Sequence, residues 1–330
     1  MRVPLMLADP FLFVAFRNSR VASASRFDLS GAGFRFLLVA ACLFVSSTVA
    51  MAQRKPSDNE KPKPRPIKVT TKDGIELAGV YVPSSKGREA IPIILVHEWD
   101  GQMSPYNRLV ASLAEQGYAI VAFDYRGHGG SSDYVDNRGR PRKFEPSRMS
   151  SNDMKNIVRY DMETIKKFLI EENNEGNLNL NALVVVGVGE GGIIASHWTV
   201  QDWSFPNVGA IKQGKDVKAL VLISPDKQFK GLSIDAALRE KVFEELPLML
   251  VGGEDAPDAR DTNRMARKIA GDRRRAGAGE PRGFFFLPFP TNLSKAALVN
   301  QQPKLSEQIG TFIKTFVEAS SSDHPWVERR

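Results

Sequence analysis

The sequence predicts an α/β fold, with a mostly parallel central sheet and helices on both faces. Two observations carry this. Short apolar runs bounded by turn residues alternate with helix-period segments between about residues 67 and 320, the pattern of a sheet crossed by helices. One junction, from Leu183 to Ala195, joins an apolar strand to a helix through Gly187, Gly189, Gly191 and Gly192. So many glycines let strand and helix approach closely around a sharp turn.

Taken in order, Lys68 to Pro83 holds two strand-like runs around Lys72-Asp73-Gly74, a hairpin signal. Ile75, Leu77, Val80 and Val82 supply its apolar face, which predicts an antiparallel edge to the sheet. Ile91 to Val96 reads as a buried strand running into the polar turn His97-Glu98-Trp99-Asp100-Gly101. Tyr106 to Gln116 is helix-like, with Leu109, Val110, Leu113 and Ala114 at helical spacing. Tyr118 to Phe123 is the next strand and ends in a glycine-rich loop, Asp124 to Ser132. Ser151 to Glu172 predicts a long helix with Ile157, Met162, Ile165, Phe168 and Leu169 inward and Asp153 near its start. Strands follow at Val217–Ser224, Pro247–Gly252 and Phe284–Leu287, and Leu305–Val317 closes the domain as an amphipathic helix. Asp202–Asp216 and Asp226–Glu245 are the expected places for lid insertions.

Residues 1–52 stand apart. Arg17, Arg20, Arg26 and Arg35 precede the short apolar core Phe36–Val45, and small residues lead to Ala50-Met51-Ala52. This is the pattern of a secretory signal peptide cleaved near Ala52. An uncleaved anchor is the alternative, disfavoured because the core falls short of the roughly 20 residues a span needs. The expected product is therefore secreted or periplasmic, with no membrane span after cleavage. The only cysteine, Cys42, leaves with the leader, so no disulfide or cysteine metal site is expected. Proline and charge then dominate a linker over residues 53–66, too polar to bury a core. The folded domain is expected over 67–320, with a polar tail over 321–330.

Without the leader's five arginines and two aspartates, 40 basic residues stand against 36 acidic. That weak excess does not point to nucleic acid. Two basic stretches remain: Arg260, Arg264, Arg267 and Lys268 at helical spacing before an Arg273-Arg274-Arg275 loop, and Arg138, Arg140, Arg142 and Lys143. Both read best as solvated faces. The partner they would suit is an acidic envelope polymer, in weak contact.

Gly187-Val188-Gly189-Glu190-Gly191 has the frame of the G-x-S-x-G nucleophile elbow, with glycine at the position of the nucleophile. Together with the His97-Glu98-x-x-Gly101 turn and the Asp124-Tyr-Arg-Gly-His-Gly-Gly-Ser131 loop, in this order, the chain resembles the α/β-hydrolase family. The likeness is to its dienelactone-hydrolase-like and serine-peptidase-like members. The resemblance implies an α/β-hydrolase fold and a nucleophile–acid–histidine triad at positions equivalent to Gly189, Asp255 and Asn292. It implies an oxyanion pocket at Glu98, Trp99 and Glu190, where backbone N–H groups could still hold a carbonyl and Trp99 could offer a flat wall, although the default for Trp99 is an ordinary core tryptophan. The Glu190 side chain is expected to point away from the elbow tip.

Acyl transfer by such a triad needs an activated nucleophile and a base. Gly189 has no side chain, and no histidine lies near Asn292. His97, His128, His197 and His324 all fall where structural roles are expected. The favoured expectation is a non-catalytic relative that binds a small molecule or partner in the remnant pocket, with no cofactor and no metal. The alternatives are a hydrolase with a non-standard nucleophile, such as Ser131, Ser132 or Ser224, and a surface interaction protein.

Overall fold

The computed structural model describes residues 63–136, 138–209, 212–277 and 283–329. The signal peptide expected over 1–52, and the linker up to residue 62, lie outside the described residues.

Eight strands form one sheet: β1 (Arg65–Thr70), β2 (Glu76–Val82), β3 (Pro92–Val96), β4 (Ala119–Phe123), β5 (Leu183–Val188), β6 (Val217–Ile223), β7 (Leu248–Gly253) and β8 (Phe284–Phe289). Their order is β1-β2-β4-β3-β5-β6-β7-β8. β1 and β2 pair antiparallel, as do β2 and β4; every other pair is parallel. The edge hairpin thus turns where Lys72-Asp73-Gly74 placed it, although β1 starts two residues before the expected domain boundary.

Strand side chains alternate faces, and two core layers follow. Ile94, Val96, Val121, Phe123, Val185 and Leu220 face one side; Ile93, Leu95, Ile120, Val184, Val186 and Val221 face the other. The first layer is covered by α2 (Ser151–Asn156), α3 (Met162–Asn174), α4 (Glu190–Ser204) and α5 (Ala259–Gly277). The second is covered by α1 (Asn107–Glu115), α6 (Lys295–Gln301) and α7 (Leu305–Ile313). This is the α/β-hydrolase fold, with a mostly parallel sheet between two helical layers.

The long helix predicted from Ser151 begins with a reciprocal cap between Ser150 and Asp153. It runs through a π-turn, Ile157–Asp161, before continuing as α3. The extra residue in that turn has a local purpose. Asp161, fully buried, accepts the Arg126 backbone N–H at 2.9 Å and its guanidinium at 2.6 Å. Arg126 also grips Asp73 at 2.6 Å, which ties the edge hairpin to the loop after β4.

Two expectations need correction, and one is refined. Arg273-Arg274-Arg275 is not a loop: α5 continues to Gly277, and Arg273 is buried, donating to Leu246 O. Alanine and arginine both favour helix, which carries the segment on. The insertion expected over Asp202–Asp216 has its two ends tied together: Asp202 is buried and accepts the N–H groups of Asp216 (2.7 Å) and Val217 (3.1 Å) and the Lys166 ammonium (2.6 Å). Residues 321–329, read as a polar tail, lie against the domain. Asn173, Asn179 and Asn181 donate to the carbonyls of Val327, His324 and Pro325, and Arg329 forms a bidentate pair with buried Asp216 at 2.6 and 2.8 Å.

Candidate active site

The loops that follow β3, β4, β5, β6 and β8 converge at the C-terminal edge of the sheet. β5 reaches Gly189, whose backbone sits at φ 54°, ψ −124° before α4 begins. Side chains rarely tolerate that conformation, and glycine adopts it without a Cβ penalty. The approach of α4 to β3 is equally demanding. A Cβ on Gly191 would lie 2.3 Å from His97 O and 2.4 Å from Val96 O, so only glycine fits.

A Cβ on Gly189 would meet Lys295 Cδ at 3.0 Å and Glu98 Cβ at 3.1 Å. The space above the elbow is therefore held by Lys295, the first residue of α6, itself in the left-handed region at φ 49°. Its ammonium lies 2.7 Å from Asp226 Oδ2 and 3.1 Å from Glu190 Oε1. Glu190 Oε2 accepts the Trp99 N–H at 3.2 Å. Glu98 completes the group by accepting the Ala296 N–H at 3.3 Å.

The electrostatics follow from these contacts. Burial pushes the Glu190 carboxyl up, but backbone N–H dipoles and Lys295 outweigh it and hold it below the usual carboxylate value. Burial pulls the Lys295 ammonium down, yet Asp226 and Glu190 overcome this and raise it above the ordinary lysine value. Burial raises Asp226 and Glu98, only partly offset by Lys295 and, for Glu98, by the Ala296 N–H. At neutral pH the site is a cation held by carboxylates, with acid in excess. A lysine in that state is protonated and has no lone pair with which to attack or to accept a proton.

The sequence-chosen positions fare unevenly. Gly189, Glu98, Trp99 and Glu190 come together. Asp255 and Asn292 are exposed, and no side-chain contact joins either to the elbow. Asp255 gives only its backbone N–H, to Thr291 O at 3.1 Å. The Glu190 side chain turns toward the elbow, contrary to expectation, because the Trp99 N–H and the Lys295 ammonium await it there. The Trp99 N–H is consequently not free to hold a carbonyl. Nor is Trp99 an open wall: it is buried against His128 at 4.6 Å and Phe229 at 5.0 Å. Lys295 and Asp226 were missed. The available signals were a lysine three residues past Asn292, where a histidine belongs, and an acid just beyond β6.

The four histidines are engaged elsewhere. His97 stacks on Tyr125 at 4.1 Å, and its Nδ1–H donates to Glu98 O at 2.7 Å. Burial pulls it down to about 3, so it stays neutral. His128 Nδ1 bonds Arg126 O at 3.1 Å, and His197 Nε2 bonds Ser233 O at 2.9 Å. His324 lies in the docked C-terminal segment. Asp124, which accepts the N–H groups of Met103 (2.7 Å) and Gly130 (2.9 Å), fastens the His97–Gly101 turn to the loop after β4. Among the described residues no group of three His, Cys, Asp or Glu side chains is placed to hold a metal. No described helix is long and apolar enough to cross a membrane.

Strand order, elbow and oxyanion turn define an α/β-hydrolase-type protein. The family model for serine aminopeptidase, S33, matches residues 89–276, more than half of the chain, and the chain belongs to that family. YfhR of Salmonella typhi, an uncharacterized protein, is 29% identical over 167 residues, 47% of this chain and 53% of its own length. The chain thus spans about half of that relative. YfhR of Escherichia coli O157:H7, also uncharacterized, is 27% identical over 237 residues, covering 67% of this chain and 75% of its own. Among solved structures, the Pyrococcus furiosus esterase Pf2001 superposes with a TM-score of 0.54 at 14% identity, covering 78% of this chain and 92% of its own. Fungal esterases from Rhizomucor miehei give 0.54 at 13% identity, over 82% and 87%. Identities this low speak for the fold alone.

Proposed function

We propose that this chain is a non-catalytic member of its family that binds a small molecule or a partner protein at the C-terminal edge of the sheet. One observation carries the reading: Lys295 covers Gly189 while the Glu190 carboxylate takes the Trp99 N–H at the oxyanion position. An oxyanion hole and binding alone supply roughly 10³–10⁴-fold over water when a triad is removed. Here one of those donors is already bonded, which weakens even that residue of activity. The excess of carboxylate at the cluster favours a cationic or neutral ligand group over an anion.

A relocated serine finds little support. Ser131 is buried, donates to Asp124 O and accepts the Ala78 N–H, and the Ser224 hydroxyl is fully buried. The N-terminal pattern supports export to the periplasm or the medium, with cleavage near Ala52.

Fluorophosphonate labelling of the full chain, read by intact mass and peptide mapping, tests the reading. No adduct is expected. A stoichiometric adduct on one serine would establish an activated nucleophile and overturn it.

A further inference from the structure

A cavity lies at the opposite, N-terminal edge of the sheet, far along the strands from the elbow. It measures about 590 Å³ and is walled by Trp203 at the end of α4, Val242 and Leu246 before β7, and Phe316 after α7. This volume falls within the roughly 300–1,000 Å³ of small-molecule sites. Lys218, the second residue of β6, is one of its half-buried polar groups, with Ser320 and His324. The ammonium donates to Lys215 O and lies 5.5 Å from the centre of the Trp203 ring.

No carboxylate of the described residues comes within ion-pair distance of Lys218. Glu240, Glu245 and Asp323 also line the cavity, but they are exposed and pair with nothing inside it. Asp216, the nearest buried acid, is already committed to Lys166, Lys212 and Arg329. A partly desolvated cation beside aromatic and aliphatic walls, without a counter-charge, is half of an ion pair. Burial and the neighbouring Lys212 hold it down to about 8, which expresses the same deficit.

We infer that this cavity binds an apolar organic anion, its carboxylate or sulfonate on Lys218 and its hydrocarbon body between Trp203, Phe316 and Leu246. A charge-assisted hydrogen bond at a half-buried site supplies the head-group preference. The aromatic and aliphatic walls supply affinity without demanding one shape. This site is independent of the elbow and of the reading proposed for it.

Titration calorimetry of the full chain with decanoate, and with decanol as a neutral counterpart, tests the assignment. Decanoate is expected to bind one to one and roughly tenfold more tightly than decanol, the scale of one hydrogen bond to a charged group. Lys218→Met, which keeps the side-chain stem, should erase that preference and leave decanol unchanged. Val242→Trp, which fills the cavity from the segment before β7, should abolish binding of both, so the test survives if the lysine variant does not fold. The inference is overturned if neither ligand binds, if both bind alike, if Lys218→Met keeps the preference, or if Val242→Trp leaves decanoate bound.

Discussion

Replacing Lys295 by methionine removes one charge from the elbow cluster and leaves Glu190 and Asp226 facing each other. Removing one partner of a fully buried pair costs about 3–5 kcal/mol, whereas exposed pairs are worth about 0–1 kcal/mol. Lys295 is 30% exposed, against 12% for Glu190 and 34% for Asp226. Solvent screening at that exposure brings the expected loss to about 1–2 kcal/mol at pH 7, a fall in Tm of about 2–6 °C for a chain of this size. The pH dependence gives the sharper signature. In the native protein the raised Lys295 contributes fully below the ordinary lysine value and is lost only as pH climbs through its higher folded value. The depressed Glu190 contributes above the ordinary carboxylate value and is lost as pH falls through its lower folded value. Without the ammonium both carboxyls are raised, so the variant sheds its penalty as pH falls and they protonate. Urea unfolding at pH 7 and pH 4.5 should therefore show a loss that shrinks at the lower pH. An equal loss at both, or none at pH 7, would refute a charge-based role for Lys295.

Two further predictions concern stability. Arg329→Met removes a buried bidentate partner of Asp216 and should cost about 3 kcal/mol by urea unfolding; a change under about 0.5 kcal/mol would mean the C-terminal segment does not dock in solution. Gly191→Ala drives a Cβ into two backbone carbonyls and should cost at least the roughly 3 kcal/mol of severe overpacking. Gly271→Ala, on α5 with only the Arg275 guanidinium at 3.6 Å, should instead stabilise by about 0.5–1 kcal/mol. Equal responses at the two glycines would contradict the elbow packing.

Most elements were legible because their signals are local. The periods of β3 to β8 and of α1 and α7 lie within a dozen residues each, and the glycines at 187, 189, 191 and 192 mark a turn that depends only on neighbouring backbone. What decides the chemistry is not local. Lys295 reaches the elbow only because residue 295 takes a positive φ after β8, a loop conformation that no periodicity reports. The direction of Glu190 depends on a partner 105 residues away. The docked C-terminal segment was illegible for a related reason. The amides of Asn173, Asn179 and Asn181 are spent on carbonyls about 145 residues or more along the chain, a pairing no local pattern reports.

Gly189, Glu190 and Lys295 are intelligible as a set. A serine at 189 would bear a strained backbone and press its Cβ on Lys295, and its hydroxyl would find an ammonium that can donate a proton but not take one. Glycine removes both the strain and the clash. Lysine over that glycine would be a partly buried cation in need of counter-charge, which Glu190 and Asp226 provide. Glu190, so turned, also satisfies the Trp99 N–H. Each residue thus supplies what the other two lack. The elbow itself persists for a separate reason: α4 packs on the carbonyls of Val96 and His97 through Gly191 whether or not any nucleophile stands beside it.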